Sequence, residues 1–348
     1  MGYRRLLRKL KQSQRNEKQV RTLNLEQLET RVLLDGKIVG AGFDLGTKDS
    51  PVIYTVETGS GGSNLTLEHY PSDPSKLLLS GGGFSEVIDL SGQDKLVIDM
   101  GAGTDTLSIE TLSITGKDLQ VINAETITVG SGSSLTLDEL SLEASATDTG
   151  LLDDLNQLGF NFEDEAILAS STATVNVSGA TINASTVTLS AKSSLDLDSA
   201  GFSLSSFKVT MIAASSTAEV DVDGATITTT GDLNIVTTSI VDAFAKAESD
   251  SSSNSSFDAA VAVNIIDSNS IAHISGSTNL AVSGNINVSA NNNVTTLAKA
   301  DGSAGGDSSA GATLAFTYYS GQTQAYIEGT THTSTAAGDI NITADSTA

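Results

Sequence analysis

The sequence predicts an all-β chain that folds as a parallel β-helix or β-solenoid. In the second half of the 348 residues, four β-rich runs end on glycine, at Gly179, Gly224, Gly276 and Gly329. These glycines lie 45, 52 and 53 residues apart, and periods of this size are typical of solenoids, whose units bury their cores against their neighbours. Aromatic residues make up only 4% of the chain, which suits a narrow core. The last of 3 prolines is Pro74, so no later strand is interrupted by proline.

Each repeat holds three strand-like runs. A triplet follows each glycine after 8 to 11 residues, beginning at Val187, Leu233, Ile286 and Ile340. A further apolar run precedes each glycine, beginning at Ala166, Val209, Ala259 and Ala312. Three runs in about fifty residues predict either two solenoid turns of about 25 residues each or a stacked β-arcade. The repeats reach Ala348 without a visible cap, so we expect residues 1–348 to open a longer protein and the solenoid of 169–348 to be incomplete.

Residues 1–37 form a basic leader, predicted to be disordered or weakly helical. This leader holds 10 Lys/Arg against 4 Asp/Glu, and the rest of the chain brings the net charge to −24. The leader lacks the apolar core of about 7–15 residues that a secretory signal needs. No part of the chain approaches the roughly 20 apolar residues of a membrane helix, so we expect no transmembrane segment.

A short motif stands at the end of the leader, over Leu25–Asp35 (LEQLETRVLLD). It resembles the LEPR-XLL motif that opens many very large bacterial surface proteins. Leu28, Glu29, Arg31, Leu33 and Leu34 match that pattern, and Thr30 stands where the family often has proline. The resemblance implies an exported, secreted or cell-envelope-associated protein.

Two regions separate the leader from the repeats. Residues 38–145 alternate between short strand-like runs and Gly/Ser/Asp turns, which predicts a Gly-rich β domain or the first part of the solenoid. This periodicity leaves an antiparallel sandwich and a parallel solenoid both open. Residues 146–168 interrupt the pattern, because Leu151, Leu155 and Leu158 have helical spacing; we expect a helical or loop insertion there.

The composition of residues 169–348, rich in Ala, Val, Asn, Ser and Thr between glycines, resembles the repeats of filamentous haemagglutinin-like adhesins. The resemblance implies a right-handed parallel β-helix rod on a bacterial surface. It implies no particular site residue.

The charge and the composition exclude several classes of function. An acidic body repels phosphate and offers no basic patch, so we expect no nucleic-acid partner. The chain has no cysteine, which excludes disulfides, thiol chemistry and Cys-based zinc sites.

Calcium is the metal that the sequence favours most. Gly101, Gly103 and Asp105 match the core of the G-x-G-x-D-x-L pattern whose tandem copies bind Ca²⁺ between solenoid turns. Leu96 and Leu107 are eleven residues apart rather than nine, so tandem spacing is missing. A glycine-rich turn without metal is the alternative.

The sequence does not contain a recognisable group of catalytic residues. His69, His273 and His332 lie far apart, without metal-ligand spacing. Asp221 and Asp223 would share one strand face, as would Asp196 and Asp198, but the other repeats lack the acidic pair. Rows of Thr-x-Thr, which would indicate an ice-binding face, do not recur in register.

The sequence therefore predicts a non-enzymatic, filamentous adhesin-like structural protein that binds through an extended repeat surface. We expect it to be secreted or on the bacterial surface, including the outer membrane, and exported by secretion machinery without a cofactor. Its expected partners are a host or neighbouring cell surface, matrix or polysaccharide. Two alternatives remain open: a calcium-dependent secreted β-roll protein and a polysaccharide-active β-helix enzyme.

Overall fold

The protein is an all-β solenoid of parallel strands. The structure, a computed structural model, describes residues 52–55, 62–147, 149–150, 166–199, 202–204, 207–250, 257–303, 310–333 and 338–348. No helix occurs among these residues. The predicted fold class is thereby confirmed. The described part of residues 38–145 contributes parallel strands to the solenoid sheets, apart from one antiparallel meander within residues 64–88. The basic leader and the Leu25–Asp35 motif lie outside the described residues, as do residues 151–165 of the expected insertion.

The first part of the chain forms twelve short strands. They are β1 (Val52–Thr55), β2 (Asn64–His69), β3 (Leu77–Gly81), β4 (Phe84–Ile88), β5 (Lys95–Asp99), β6 (Thr106–Ile109), β7 (Leu112–Ser113), β8 (Asp118–Ala124), β9 (Thr126–Val129), β10 (Ser134–Thr136), β11 (Glu139–Thr147) and β12 (Thr149–Gly150).

The repeats form thirteen strands, several of them long. They are β13 (Ala166–Ser178), β14 (Thr181–Ala184), β15 (Thr186–Ser199), β16 (Phe202–Leu204), β17 (Phe207–Asp223), β18 (Thr226–Thr229), β19 (Leu233–Asp250), β20 (Phe257–Ser275), β21 (Asn279–Val282), β22 (Ile286–Ser303), β23 (Ala310–Ile327), β24 (Thr331–His332) and β25 (Ile340–Thr347).

The strands stack into three sheets, one strand per sheet in each turn. Sheet A has the order β1-β5-β8-β11-β15-β19-β22-β25, sheet B runs β23-β20-β17-β13-β9-β6-β2-β3-β4, and sheet C runs β24-β21-β18-β14-β10-β7. From β5 onward the chain passes from sheet A to B to C and back to A. We call each such turn a rung. The β2–β3–β4 meander is antiparallel and extends sheet B at its N-terminal end.

Rung length roughly doubles along the chain. Successive sheet A strands align Leu96, Leu119, Leu140, Val187, Leu233, Ile286 and Ile340. The early rungs are 23 and 21 residues long, and the later ones span 47, 46, 53 and 54 residues. The expectation of two turns per repeat is therefore wrong. Each repeat is one rung, because two of its three apolar runs are the two halves of a single long sheet B strand, as in β20.

The aligned glycines of the repeat turn the chain from sheet B into sheet C. Gly179, Gly224, Gly276 and Gly329 have φ angles of 59°, 61°, 66° and 60°, a left-handed conformation that residues with a Cβ rarely adopt. The repeat period that the sequence displays is thus the period of this corner.

A first core fills the space between the three sheets. Strand residues alternate in burial, and the inward Leu, Ile and Val of adjacent rungs form one cluster, with Leu119, Val175, Ile227 and Ile274 all at most 1% exposed. Branched aliphatic side chains fit this narrow space without large aromatics. Burial of each such side chain contributes about 1.5–3 kcal/mol.

A second core lies in a two-layered flange. The long strands of sheets A and B continue past the triangular part and pack face to face, and we call this extension the flange. Its interior is rich in alanine, with Val241, Ala245, Ala262 and Ile266 at most 1% exposed. Small side chains allow the two sheets to lie close together.

A buried row of five serine hydroxyls and one asparagine amide, which we call the hydroxyl seam, separates the two cores. Its members alternate between sheets B and A in neighbouring rungs: Ser171, Ser193, Ser216, Ser239, Ser268 and Asn292. Consecutive side chains are joined at 2.8, 2.7, 2.6, 2.8 and 2.7 Å. Because each hydroxyl can donate one hydrogen bond and accept others, the seam satisfies polar groups that burial would otherwise penalise.

Replacing Ser239 by Ala should destabilise the fold by about 1–3 kcal/mol, since Ser216 and Ser268 would each lose a buried partner. The measurement is the urea unfolding midpoint at unchanged m-value. Ser215→Ala, on the outward side of β17, is the matched control and should change stability by less than about 0.5 kcal/mol. Equal effects of the two substitutions would contradict a stabilising seam.

Candidate binding faces on the outside of the solenoid

Outward side chains of successive rungs form columns, because parallel strands pair in register about 4.8 Å apart. On sheet B one column crosses seven strands, and we call it the outer ladder. Its residues are Thr66, Ser108, Thr128, Asn176, Asp221, His273 and Tyr326. All seven are polar, and none is fully buried. The ladder therefore offers a polar row about 30 Å long.

The last three residues of the outer ladder contact each other. His273 Nε2 lies 2.7 Å from Asp221 Oδ1. This distance suits an ion pair, but the angles between the two groups are not those of a hydrogen bond. The His273 ring stacks on Tyr326, with centroids 5.1 Å apart and planes 8° from parallel. Burial raises the pKa of the Tyr326 phenol, and the carboxylates of Glu328, Asp221 and Glu219 raise it further. The sequence aligned these positions correctly but did not reveal that they interact.

Of the two acidic pairs considered for an enzyme, Asp221 and Asp223 contact neighbouring side chains. Asp221 contacts His273, and Asp223 Oδ1 accepts a hydrogen bond from Ser275 Oγ at 3.5 Å. Asp196 and Asp198 lie exposed on the outer face of sheet A. The polysaccharide-active enzyme stays an alternative prediction.

The three histidines occupy separate places. His69 Nε2 accepts a hydrogen bond from the Ser113 backbone N–H at 2.7 Å, and His332 is exposed on sheet C. Within the described part of the chain, no group of three or more His, Asp or Glu side chains is placed to hold a metal ion.

The outer face of sheet C carries an uncharged array over six rungs. In the first five rungs a tripeptide directs its apolar middle residue inward, as at Leu135, Ile182 and Ile227, all fully buried. In the sixth rung the exposed His332 stands at this position. The outward residues, which we call the sheet C array, are Thr111, Ser113, Ser134, Thr136, Thr181, Asn183, Thr226, Thr228, Asn279, Ala281, Thr331 and Thr333. None of them is fully buried. The array is about 24 Å long.

Sequence reasoning missed this array. It sought strict Thr-x-Thr repeats, and Thr226-Ile-Thr228 instead stacks on Thr181-Ile-Asn183. Two Thr-x-Thr tripeptides therefore do not stack on each other there, but hydroxyl and amide side chains occupy the same positions in both rungs. Aligning the tripeptides at the second residue after the turn glycine, or at the third after Gly276, would have found it in the repeats.

The residues of the predicted calcium site lie at a turn between β5 and β6. Gly101 and Gly103 have φ angles of 79° and 142°. Asp105 is fully buried, and its Oδ1 accepts hydrogen bonds from Ser63 N at 2.7 Å and Ser63 Oγ at 2.9 Å. The Asp105 N–H donates to Glu125 Oε2 in the next rung. Burial raises the pKa of the Glu125 carboxyl, and the neighbouring Asp105 carboxylate adds to the rise, while hydrogen bonds from backbone N–H groups oppose it.

Asp105 thus links the starts of three neighbouring sheet B strands, β2, β6 and β9, through hydrogen bonds. Calcium binding at Gly101, Gly103 and Asp105 stays a prediction. Asp105→Asn should destabilise the chain by about 1.5–3 kcal/mol, because the Ser63 donors would lose a charged acceptor. Thermal melts of both forms with chelator and with millimolar Ca²⁺ measure this. If Asp105 acts only through its hydrogen bonds, the substitution should lower the melting temperature equally with chelator and with Ca²⁺. A loss confined to the calcium sample would instead show a metal site.

No described helix has the length and apolar character needed to cross a membrane. Comparison with protein-family models, curated proteins and solved structures finds no match to this chain.

Proposed function

We propose that this protein is a non-enzymatic, filamentous adhesin-like structural protein that binds partners through extended rows of outward side chains. The observation that carries the proposal is the sheet C array, in which eleven of the twelve outward residues bear a hydroxyl or amide group and none bears a charge.

Neutral polymers rich in hydroxyl groups, such as matrix or cell-surface polysaccharides, are the partners that this array favours. The net charge of −24 repels anionic polymers. A single exchange of a water hydrogen bond for a protein hydrogen bond contributes only about 0.5–1.5 kcal/mol. Many such contacts in fixed register add up on a repeating ligand, so avidity replaces a deep pocket.

A double substitution in the centre of the array tests the proposal. Thr181 and Thr226 are neighbours on adjacent rungs. Thr181→Lys with Thr226→Lys should weaken co-sedimentation with particles of an uncharged insoluble polysaccharide by at least about tenfold, equivalent to about 1.4 kcal/mol, since two like charges would sit inside the contact. Binding of the unmodified chain should change little with salt, because no ion pair is involved.

The matched control lies in the same two rungs. Thr172 and Thr217 are neighbours on the outer face of sheet B, and Thr172→Lys with Thr217→Lys adds the same charge elsewhere. This control should bind as the unmodified chain does. The use of the sheet C array is refuted if both double variants bind equally, and a chain that binds no neutral polysaccharide particle refutes a polysaccharide partner.

We propose a location on the cell surface or outside the cell, supported by the resemblance of Leu25–Asp35 to the motif of large bacterial surface proteins. Protease treatment of intact source cells, followed with an antibody against residues 170–348, should remove the epitope while a cytoplasmic control protein survives. An epitope that disappears only after lysis would place the chain inside the cell and remove the support for adhesion.

A further inference from the structure

The outer face of the flange on sheet B is apolar over three neighbouring strands. In register, β17 contributes Val209, Met211 and Ala213, β20 contributes Val261, Val263 and Ile265, and β23 contributes Leu314, Phe316 and Tyr318. We call these nine residues the distal apolar face. Ile265, Leu314, Phe316 and Tyr318 are 42%, 57%, 49% and 53% exposed, so the face holds four of the nine large exposed hydrophobic residues among the described part of the chain.

The direction of these side chains follows from the strand alternation. Thr210, Ile212, Ala262 and Ile266 lie next to residues of this face in sequence and are buried in the flange interior. Residues on either side of a buried strand position point to the opposite face. On β23, Leu314, Phe316 and Tyr318 stack in register on the outward Val261, Val263 and Ile265. The nine side chains therefore point away from both cores. Because β23 is the end strand of sheet B among the described residues, its inward positions Thr313, Ala315 and Thr317 are exposed as well.

We propose that the distal apolar face is a self-association surface, occupied by the same face of a second copy of this chain. A flat sheet face rich in β-branched and aromatic residues packs well on another sheet face. None of the nine residues is charged, whereas Glu219, Asp221 and Asp223 lie further along the outward side of β17. Two copies that each carry −24 charges repel one another elsewhere. They can meet at an uncharged apolar region without burying an unpaired carboxylate.

The size of the face limits the area that two copies can bury against each other. Three strands spaced about 4.8 Å apart and about six residues of about 3.3 Å each give roughly 250–300 Å² per copy. Stable dimers bury roughly 800 Å² per partner. The expected product is therefore a weak, isologous dimer that forms with rising concentration.

Sedimentation velocity of the full chain at about 10 µM to 1 mM tests this proposal, a range that suits a small interface. The weight-average sedimentation coefficient should rise with concentration. It should rise further with added salt, which screens the repulsion between the acidic copies. Phe316→Asp should hold the chain as a monomer across this range.

The matched control is Phe244→Asp, the same substitution at a 36% exposed position on the outer face of sheet A. It should leave the concentration dependence unchanged. Circular dichroism melts confirm that both variants fold, and Leu314→Ser replaces Phe316→Asp if the latter does not. A chain that stays monomeric throughout, an association that Phe316→Asp and Leu314→Ser leave intact, or a dimer that salt dissociates would each overturn the proposal.

Discussion

The structure depends on one constraint, the in-register hydrogen bonding of parallel strands from rung to rung. Register fixes which residues stack, so a side chain at one position meets its counterpart about 4.8 Å away in the next rung. Inward positions over the first core are apolar in successive rungs, as Leu135, Ile182, Ile227 and Leu280 are on sheet C, whereas the inward polar groups of the hydroxyl seam are hydrogen-bonded to one another. Outward positions carry no such requirement and can differ freely, which is why the column that contains Asn176 continues as Asp221, His273 and Tyr326.

The flange adds a second requirement to that constraint. Two sheets that extend beyond the triangular core must keep the same facing pairs in each rung, and the hydroxyl seam meets this requirement where the two cores join. Within the seam Ser239 faces Ser268, and next to it Thr237 faces Ser270; a side-chain hydrogen bond joins each pair. A slip of one residue would place these hydroxyls on the outer face and bury outward side chains such as Asp267 and Asp242. The seam therefore specifies register as well as satisfying buried polar groups.

The sequence predicted the solenoid because its signal is local and repeated. A left-handed glycine at the same corner and a following triplet suffice to align Val187, Leu233, Ile286 and Ile340, as the strand pairing confirms. The number of turns per repeat was not predictable in this way. One 19-residue strand such as β20 and two short strands have the same period-2 alternation, and only the facing sheet decides between them. The contacts of Asp221 with His273, and of Asp105 with Ser63, join residues 52 and 42 positions apart, so their chemistry appears only once the rungs are stacked.

The two proposed surfaces are physically independent, because they belong to different parts of each rung. The sheet C array lies over the first core, on strands of two to four residues, whereas the distal apolar face lies over the second core. The short early rungs from β5 to β10 have no room for a flange, yet they carry Thr111 to Thr136 of the array. Lengthening the strands of sheets A and B thus added an apolar face without disturbing the sheet C rows. If both surfaces function, association of two flanges would leave both arrays free, and the pair would present twice the number of weak hydroxyl contacts to a repeating ligand.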